Sequence, residues 1–367
     1  MEQLEGKIGI KEYFAIVILM IATKLADDTP ALLFEPLFNA GWMAPIINGI
    51  LTVIPVYLLL RVSTKYKNKG LIEVIYHVFG KFIGYIVLLI LWIIMFSALV
   101  VDTAIYTDII GTVYFSKTPT ILIYGMLMLV CAYGAKRGFA QIGSVAWAVF
   151  PYLIVSLFFA LILTFRQGSS SFLFPIFGPG EWKIVKESVL RLSIYGDFLY
   201  LFIFIPFIRS IKDFKTGTWL GLLFTCIGMT TFMLSYVIFF DYKTVMELNY
   251  PYHEVIRTIS AGFLTNMESF FLPFWVIASF VRFAIYLYIV AILFGRLFGI
   301  KQFEHIIPAF ATVGLFIGMI PESPTFTIFN LREGILFIST PIFFTLPILI
   351  WIVAMFKGVS KHEKANS

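Results

Sequence analysis

The sequence predicts an all-α integral membrane protein of ten transmembrane helices, built as two inverted five-helix repeats whose first and sixth helices are broken. Three observations predict this. Charge is scarce: 13% of the 367 residues are Asp, Glu, Lys or Arg, and 60% are hydrophobic. A soluble domain carries about 25% charged residues to cover its wetted surface, so here lipid must provide the cover. Ten apolar stretches are long enough, or nearly so, for the roughly 20 residues that cross the hydrocarbon. Finally, charged residues and helix breakers coincide in two of those stretches, the first and the sixth.

The spans lie near 12–35, 43–61, 82–114, 119–135, 144–165, 187–209, 217–240, 268–297, 305–320 and 334–356. The ninth is short; the third and eighth are long enough to imply tilt or extension beyond the bilayer. The first, preceded by Lys7 and Lys11, is followed by Lys24, Asp27 and Asp28 instead of a small-residue cleavage site, so it reads as an uncleaved helix and not a signal peptide. The chain is one transmembrane domain, 1–367, with repeats over about 11–165 and 185–357.

Loop charge sets the orientation. With the N-terminus inside, the inner side holds Lys7, Lys11, Arg61, Lys65, Lys67, Lys69, Lys81, Lys136, Arg137, Arg209, Lys212, Lys215, Arg296, Lys301, Lys357, Lys361 and Lys364. The outer side holds fewer: Lys117, Arg166, Lys183, Lys186, Arg191, Lys243, Arg257 and Arg332. Both termini are therefore expected in the cytoplasm. The net charge of +6 belongs to this asymmetry and not to a nucleic-acid surface. Two longer outer loops stand out. Residues 166–186 carry the turn chemistry of Gly168, Pro175, Gly178, Pro179 and Gly180; residues 241–267 have the pattern of an amphipathic helix on or dipping into the outer surface.

Ionisable residues in hydrocarbon are costly and mark function. The first span carries Thr23, Lys24, Asp27, Asp28 and Thr29, then Pro30, which removes a donor and crowds the carbonyl of Ala26. The sixth carries Tyr195-Gly196-Asp197, where Gly lowers helix stability and Asp favours a cap. Unwinding is expected near 26–29 and 195–197. Interruptions in corresponding spans point to a midplane site made of discontinuous helices. Asp102 in the third span and Arg282 in the eighth lie at similar depth, either as site residues or as a structural ion pair; Tyr106 follows Asp102 by one turn and is placed to cap the site. Asp108 is assigned to the outer interface. The candidate substrate-binding residues are thus Thr23, Lys24, Asp27, Asp28, Thr29, Asp102, Tyr106, Tyr195, Gly196, Asp197 and Arg282.

Other chemistry finds no support. Cys131 and Cys226 lie in apolar spans and read as packing residues; His77, His253, His305 and His362 have no ligand spacing. No cofactor, metal site, phosphate loop or nucleophile–base pair is expected, and the chain does not read as an enzyme. The 18% aromatic content reads as interface belts and lipid-facing bulk.

Local features carry a resemblance: Asn39-Ala40-Gly41-Trp42 opening the second span, Lys69-Gly70-Leu71 in the basic loop, Tyr133-Gly134-Ala135-Lys136-Arg137-Gly138 ending the fourth, and Phe174-Pro175 before Gly178. With about ten spans and almost no tails, the chain resembles the B subunit of spore nutrient germinant receptors, within the amino acid–polyamine–organocation superfamily. The resemblance implies a leucine-transporter-like fold and an amino-acid or related germinant between helices one, three, six and eight. It further implies A and C partner subunits in the spore inner membrane. The chain departs from the pattern in placing Ala26-Asp27-Asp28-Thr29 where relatives have glycines, and in lacking a Lys in helix five, so any proton coupling is expected to use a carboxylate such as Asp27 or Asp197. An amino-acid or polyamine permease without a receptor role is the alternative. With Lys24 and Arg282 against Asp27, Asp28, Asp102 and Asp197, the expected site has two negative charges in excess and prefers a ligand ammonium.

Overall fold

A computed structural model describes residues 6–66, 69–259, 267–321 and 323–365. The elements in order are α1 (Ile10–Ile21), α2 (Thr29–Leu37), α3 (Ala44–Lys65), α4 (Leu71–Ile109), α5 (Thr120–Lys136), α6 (Phe139–Gln167), α7 (Glu181–Leu190) and α8 (Asp197–Leu201). They continue with α9 (Ile211–Phe240), α10 (Tyr242–Glu247), α11 (Pro251–Thr258), α12 (Met267–Phe298), α13 (Ile307–Gly318), α14 (Pro324–Phe326) and α15 (Glu333–Ala365).

Among the described residues, six helical stretches are long and apolar enough to cross a membrane, at 29–65, 71–114, 139–167, 211–240, 271–298 and 324–357. A seventh is a pair, 181–190 and 192–207, bent by 49°. The apolar stretches 120–136 and 303–318 are shorter. The protein is therefore an all-helical, multi-pass membrane protein. The expected third span, 82–114, continues backwards to Leu71 across a kink at Gly80, whose φ of +81° suits a residue without Cβ. The sixth begins at Glu181, earlier than expected. In the loop 241–267, α11 buries Pro251, Tyr252, His253, Val255 and Ile256, so it dips into the bundle; residues 260–266 of that expected segment lie outside the described ones.

α12 is the central post. Of its apolar window 83% is buried, against 28–50% in the other five long stretches. It packs on α1, α4, α5, α6 and α13. A side chain at its middle is therefore shielded from lipid and water alike.

Packing between α1 and α9 depends on small residues, as expected where helices have no hydrophobic drive to associate in lipid. A Cβ on Gly221 would lie 2.4 Å from Val17 Cγ1, and one on Gly217 would lie 2.5 Å from Tyr13 Cδ1. One turn away, the Tyr13 and Thr218 hydroxyls bond at 2.8 Å. At one end of the bundle, Ile8 and Ile208 form a parallel bridge that ties the approach to α1 to the exit from the sixth helix. Ile8 N–H donates to Phe207 O and Arg209 N–H donates to Ile8 O, both at 3.0 Å. Lys65 and Lys357 reach Ala354 O and His77 O at this same end, so the start of α1 and the distal part of α15 share it.

The α1–α9 contact makes a direct expectation. Gly221→Ala drives a methyl into a branched side chain that cannot swing away, and lowers stability by about 1–3 kcal/mol. Gly228→Ala, on the same helix but with open space around it, is neutral or slightly stabilising, since Ala is the better helix former. Thermal unfolding of the two purified variants in one detergent checks this; equal midpoints would show that the close approach is not tight.

Candidate functional site

The first break is built by its own residues. α1 ends at Ile21, Ala22–Ala26 tightens into a 3₁₀ turn, and Asp27 is extended. α2 restarts at Thr29 with Pro30 in its first turn, where a missing N–H costs nothing. Asp27 Oδ1 accepts from Thr29 N–H at 2.8 Å, which caps the restart. That backbone donor is therefore already used.

Breaking the helix frees carbonyls, and side chains from three other elements take them. Tyr106 on α4 donates to Thr23 O and Tyr236 on α9 to Leu25 O, both at 3.0 Å. His253 on α11 bonds Ala26 O through Nε2 at 2.9 Å. A carbonyl only accepts, so Nε2 carries the proton and Nδ1 accepts from the Tyr114 hydroxyl at 2.8 Å. The carbonyl crowded by Pro30 is the one His253 satisfies.

The second break is wider than expected. Regular helix stops at Leu190 and resumes only over Asp197–Leu201, between 3₁₀ turns at 192–195 and 202–207. Gly196 sits where a Cβ would meet Ser193 O at 2.8 Å. Lys24 Nζ crosses from the first break to Ile194 O at 2.7 Å and to Asp197 Oδ2 at 2.6 Å, joining the two breaks.

Around these breaks lies one closed ion cluster. Arg282 of α12 is fully buried. Its Nη1 reaches Asp27 Oδ2 at 3.1 Å and its Nη2 reaches Asp102 Oδ2 at 2.5 Å. Nη1 also donates to the Tyr106 hydroxyl at 2.9 Å. Tyr286, one turn along α12, donates to Asp197 Oδ1 at 2.9 Å and links the two halves of the cluster. Arg282 further stands over the rings of Tyr106, Phe283 and Tyr286, each within 5.5 Å, which favours a cation.

One member was misplaced by sequence. Arg332, expected in an outer loop, is buried and pairs with Asp102 Oδ1, with Asp27 Oδ2 at 3.8 Å. It ends a π-helical turn, Thr327–Arg332, whose extra residue per turn brings the guanidinium onto the inward face. Three cations therefore face four carboxylates, and the expected excess of two negative charges becomes one. Arg191, also expected outside, is buried between Glu187 and Glu333.

Of the sequence candidates, Lys24, Asp27, Asp102, Tyr106, Asp197 and Arg282 meet directly. Asp28 lies beside them, and among the described residues neither of its oxygens has a hydrogen-bond partner. The same holds for the Thr29 hydroxyl and for Nε of Arg282 and of Arg332. Thr23 turns its hydroxyl to Leu19 O at 2.7 Å and joins only through its carbonyl. Tyr195 is set apart: its hydroxyl donates to Pro45 O at 3.0 Å, towards α3. Sequence reasoning missed Arg332, Tyr236, Tyr286 and His253. The buried tyrosines correct the reading of the aromatics as belts and bulk alone. Tyr286 carried a signal, four residues after Arg282, and His253 another, as the polar member of an otherwise apolar helix face. Among the described residues no group of His, Cys, Asp and Glu is placed to hold a metal ion.

Removing one partner of a buried ion pair leaves the other uncompensated, at a cost of about 3–5 kcal/mol. Arg282→Met should destabilise the protein by that amount, and adding Asp102→Asn should recover part of it. A double-mutant cycle by thermal unfolding checks this; additive losses would show that the two do not interact.

Comparison with known proteins adds a family match and three relatives. Residues 9–327 match the family model described as spore germination protein. The chain is 23% identical to spore germination protein KB of Bacillus subtilis over 99% of its own length and 98% of the relative's. It is 24% identical to spore germination protein A2 of that organism over 87% and 88%, and 25% identical to its spore germination protein B2 over half of each chain.

Proposed function

Since the chain belongs to the spore germination protein family, we propose that it is the germinant-sensing membrane subunit of a spore germination receptor. It binds a small amine-bearing nutrient, an α-amino acid in the first instance, where the two broken helices meet. The observation that carries this is the set of unmatched groups in the ion cluster. Asp28 presents two unpartnered acceptors, while Arg282 Nε and Arg332 Nε present unpartnered donors. An ammonium and a carboxylate on one small molecule satisfy both sets, and the ammonium offsets the single negative charge in excess. Arg282 fills the middle of the cluster, so ligand entry requires its guanidinium to shift, and that shift is the conformational signal passed to the partner A and C subunits. Ten crossings accommodate the elements: α1 with α2, then α3, α4, α5 and α6, the α7–α8 pair, then α9, α12, α13 and α15, in the leucine-transporter-like arrangement of two five-helix repeats.

Broken helices also suit a permease, an amino-acid or polyamine transporter without receptor role. Uptake of radiolabelled alanine by proteoliposomes, with spores of a deletion strain scored for germination, separates the two readings.

Two outcomes are expected. Asp28→Asn, which keeps the shape but removes the charge, should raise the alanine concentration for half-maximal germination by about tenfold, the equivalent of one charge-assisted bond of about 1.4 kcal/mol. N-acetylalanine should be inert, with protein abundance held equal by immunoblot. A free and an acetylated ligand of equal potency would sink the amine reading. For topology, the basic end is assigned to the cytoplasm. A reporter fused after Lys215 should read as internal and one after Gly180 as external; an internal signal at Gly180 would reverse the orientation.

A further inference from the structure

At the end of the bundle away from the Ile8–Ile208 bridge lies a second acid in a different setting. Asp108, near the end of α4, is half-buried and makes no ion pair among the described residues. Its Oδ2 accepts from the Tyr250 hydroxyl at 2.6 Å. Both residues line a cavity of about 310 Å³, together with Thr107, Thr120, Tyr124 and Thr327. That volume is at the lower end of the range for small-molecule sites. The remaining wall is apolar, with Ile105, Met319 and Pro324. Among the described residues its lining includes no Lys or Arg, so the Asp108 carboxylate sets the sign of the potential inside it.

The cavity adjoins the ion cluster along two elements: Thr107 follows Asp102 on α4, and Thr327 opens the π-helical turn that Arg332 ends. A bare metal ion asks for about six oxygens around it, and among the described lining residues Asp108 supplies the carboxylate beside hydroxyls and apolar side chains. An ammonium on a small apolar body fits that set better.

We propose that this cavity is a binding site for the ammonium group of a small organic cation or zwitterion, with Asp108 as its acceptor and Tyr250 holding the carboxylate in place. It is a stop on the way to the ion cluster, and rests on the preceding reading only for the identity of the natural ligand.

The test uses thiol chemistry on the full chain in nanodiscs of neutral lipid. Cys131 and Cys226 are first replaced by Ala, and Thr327→Cys then reports from inside the cavity and Thr120→Cys from its exposed rim. The probes are 2-aminoethyl methanethiosulfonate, a cation, and 2-sulfonatoethyl methanethiosulfonate, an anion, with rates scaled to a free thiol. Thr327→Cys should react with the cation on the order of tenfold faster than with the anion. Adding Asp108→Asn should abolish the preference in protein that stays monodisperse on gel filtration. Butylammonium chloride should slow the reaction, and sodium chloride at equal concentration should not. A preference that survives Asp108→Asn, or equal protection by sodium, which marks an inorganic-cation site, would overturn the proposal. So would failure of Thr327→Cys to react, whether or not the rim reacts, because the cavity would then be closed. Germination is not read at any step, so failure here is distinguishable from failure of the germinant reading.

Discussion

The structure depends on one constraint, the neutralisation of charge in a place with almost no water. Asp27, Asp28, Asp102 and Asp197 are all nearly inaccessible. An isolated ion in such a place costs several kcal/mol, and only close pairing with further hydrogen bonds offsets that. Arg282 meets the requirement for Asp27 and Asp102 together, and it does so from the most buried of the six long stretches. Lys24 meets it for Asp197, and Arg332 adds a third cation. Five segments that are distant in sequence are thereby tied to one point: both broken helices, α4, α12 and the π-helical turn before α15.

The same constraint explains the tyrosines. A break in a membrane helix leaves carbonyls that lipid cannot satisfy. Here Tyr106, Tyr236 and His253 donate to them, each from a different element. Tyr106 does double duty, since it also accepts from Arg282. It is further stacked on Trp275, with ring centroids 5.2 Å apart and planes 12° from parallel. A motion of Arg282 is therefore felt by the broken backbone of the first helix through one hydroxyl. α11 is tied in by His253, so the loop above the break shares the same network.

In the function proposed above, incomplete satisfaction is what admits a ligand. A fully matched network rigidifies a core, whereas unmatched buried groups call for a partner. The unmatched groups include acceptors on Asp28 and donors on two arginines, and the small zwitterionic ligand proposed above is the partner assigned to them. The family relationship places the chain among the spore germination proteins.

How much of this was legible in the sequence follows from what each residue's signal depends on. Scarce charge and apolar length need no partner to be read, so the membrane class and most spans were available from the chain itself. The breaks were legible too, because Pro30, Gly196 and the flanking Asp residues act on their own backbone. So was the meeting of Lys24, Asp27, Asp102, Asp197 and Arg282, since charges stranded at one depth in hydrocarbon must find one another. Only the tertiary structure decided who pairs with whom. Arg332 looked like a loop residue beside Glu333 until a π-helical turn rotated it inward. Tyr195, adjacent to the second break, turned out to face Pro45. Tyr236, Tyr286 and His253 were hidden among aromatics that carry no charge to betray them. These outcomes depend on the rotation of each helix about its axis and on the packing of α12 against its neighbours, which no local pattern encodes.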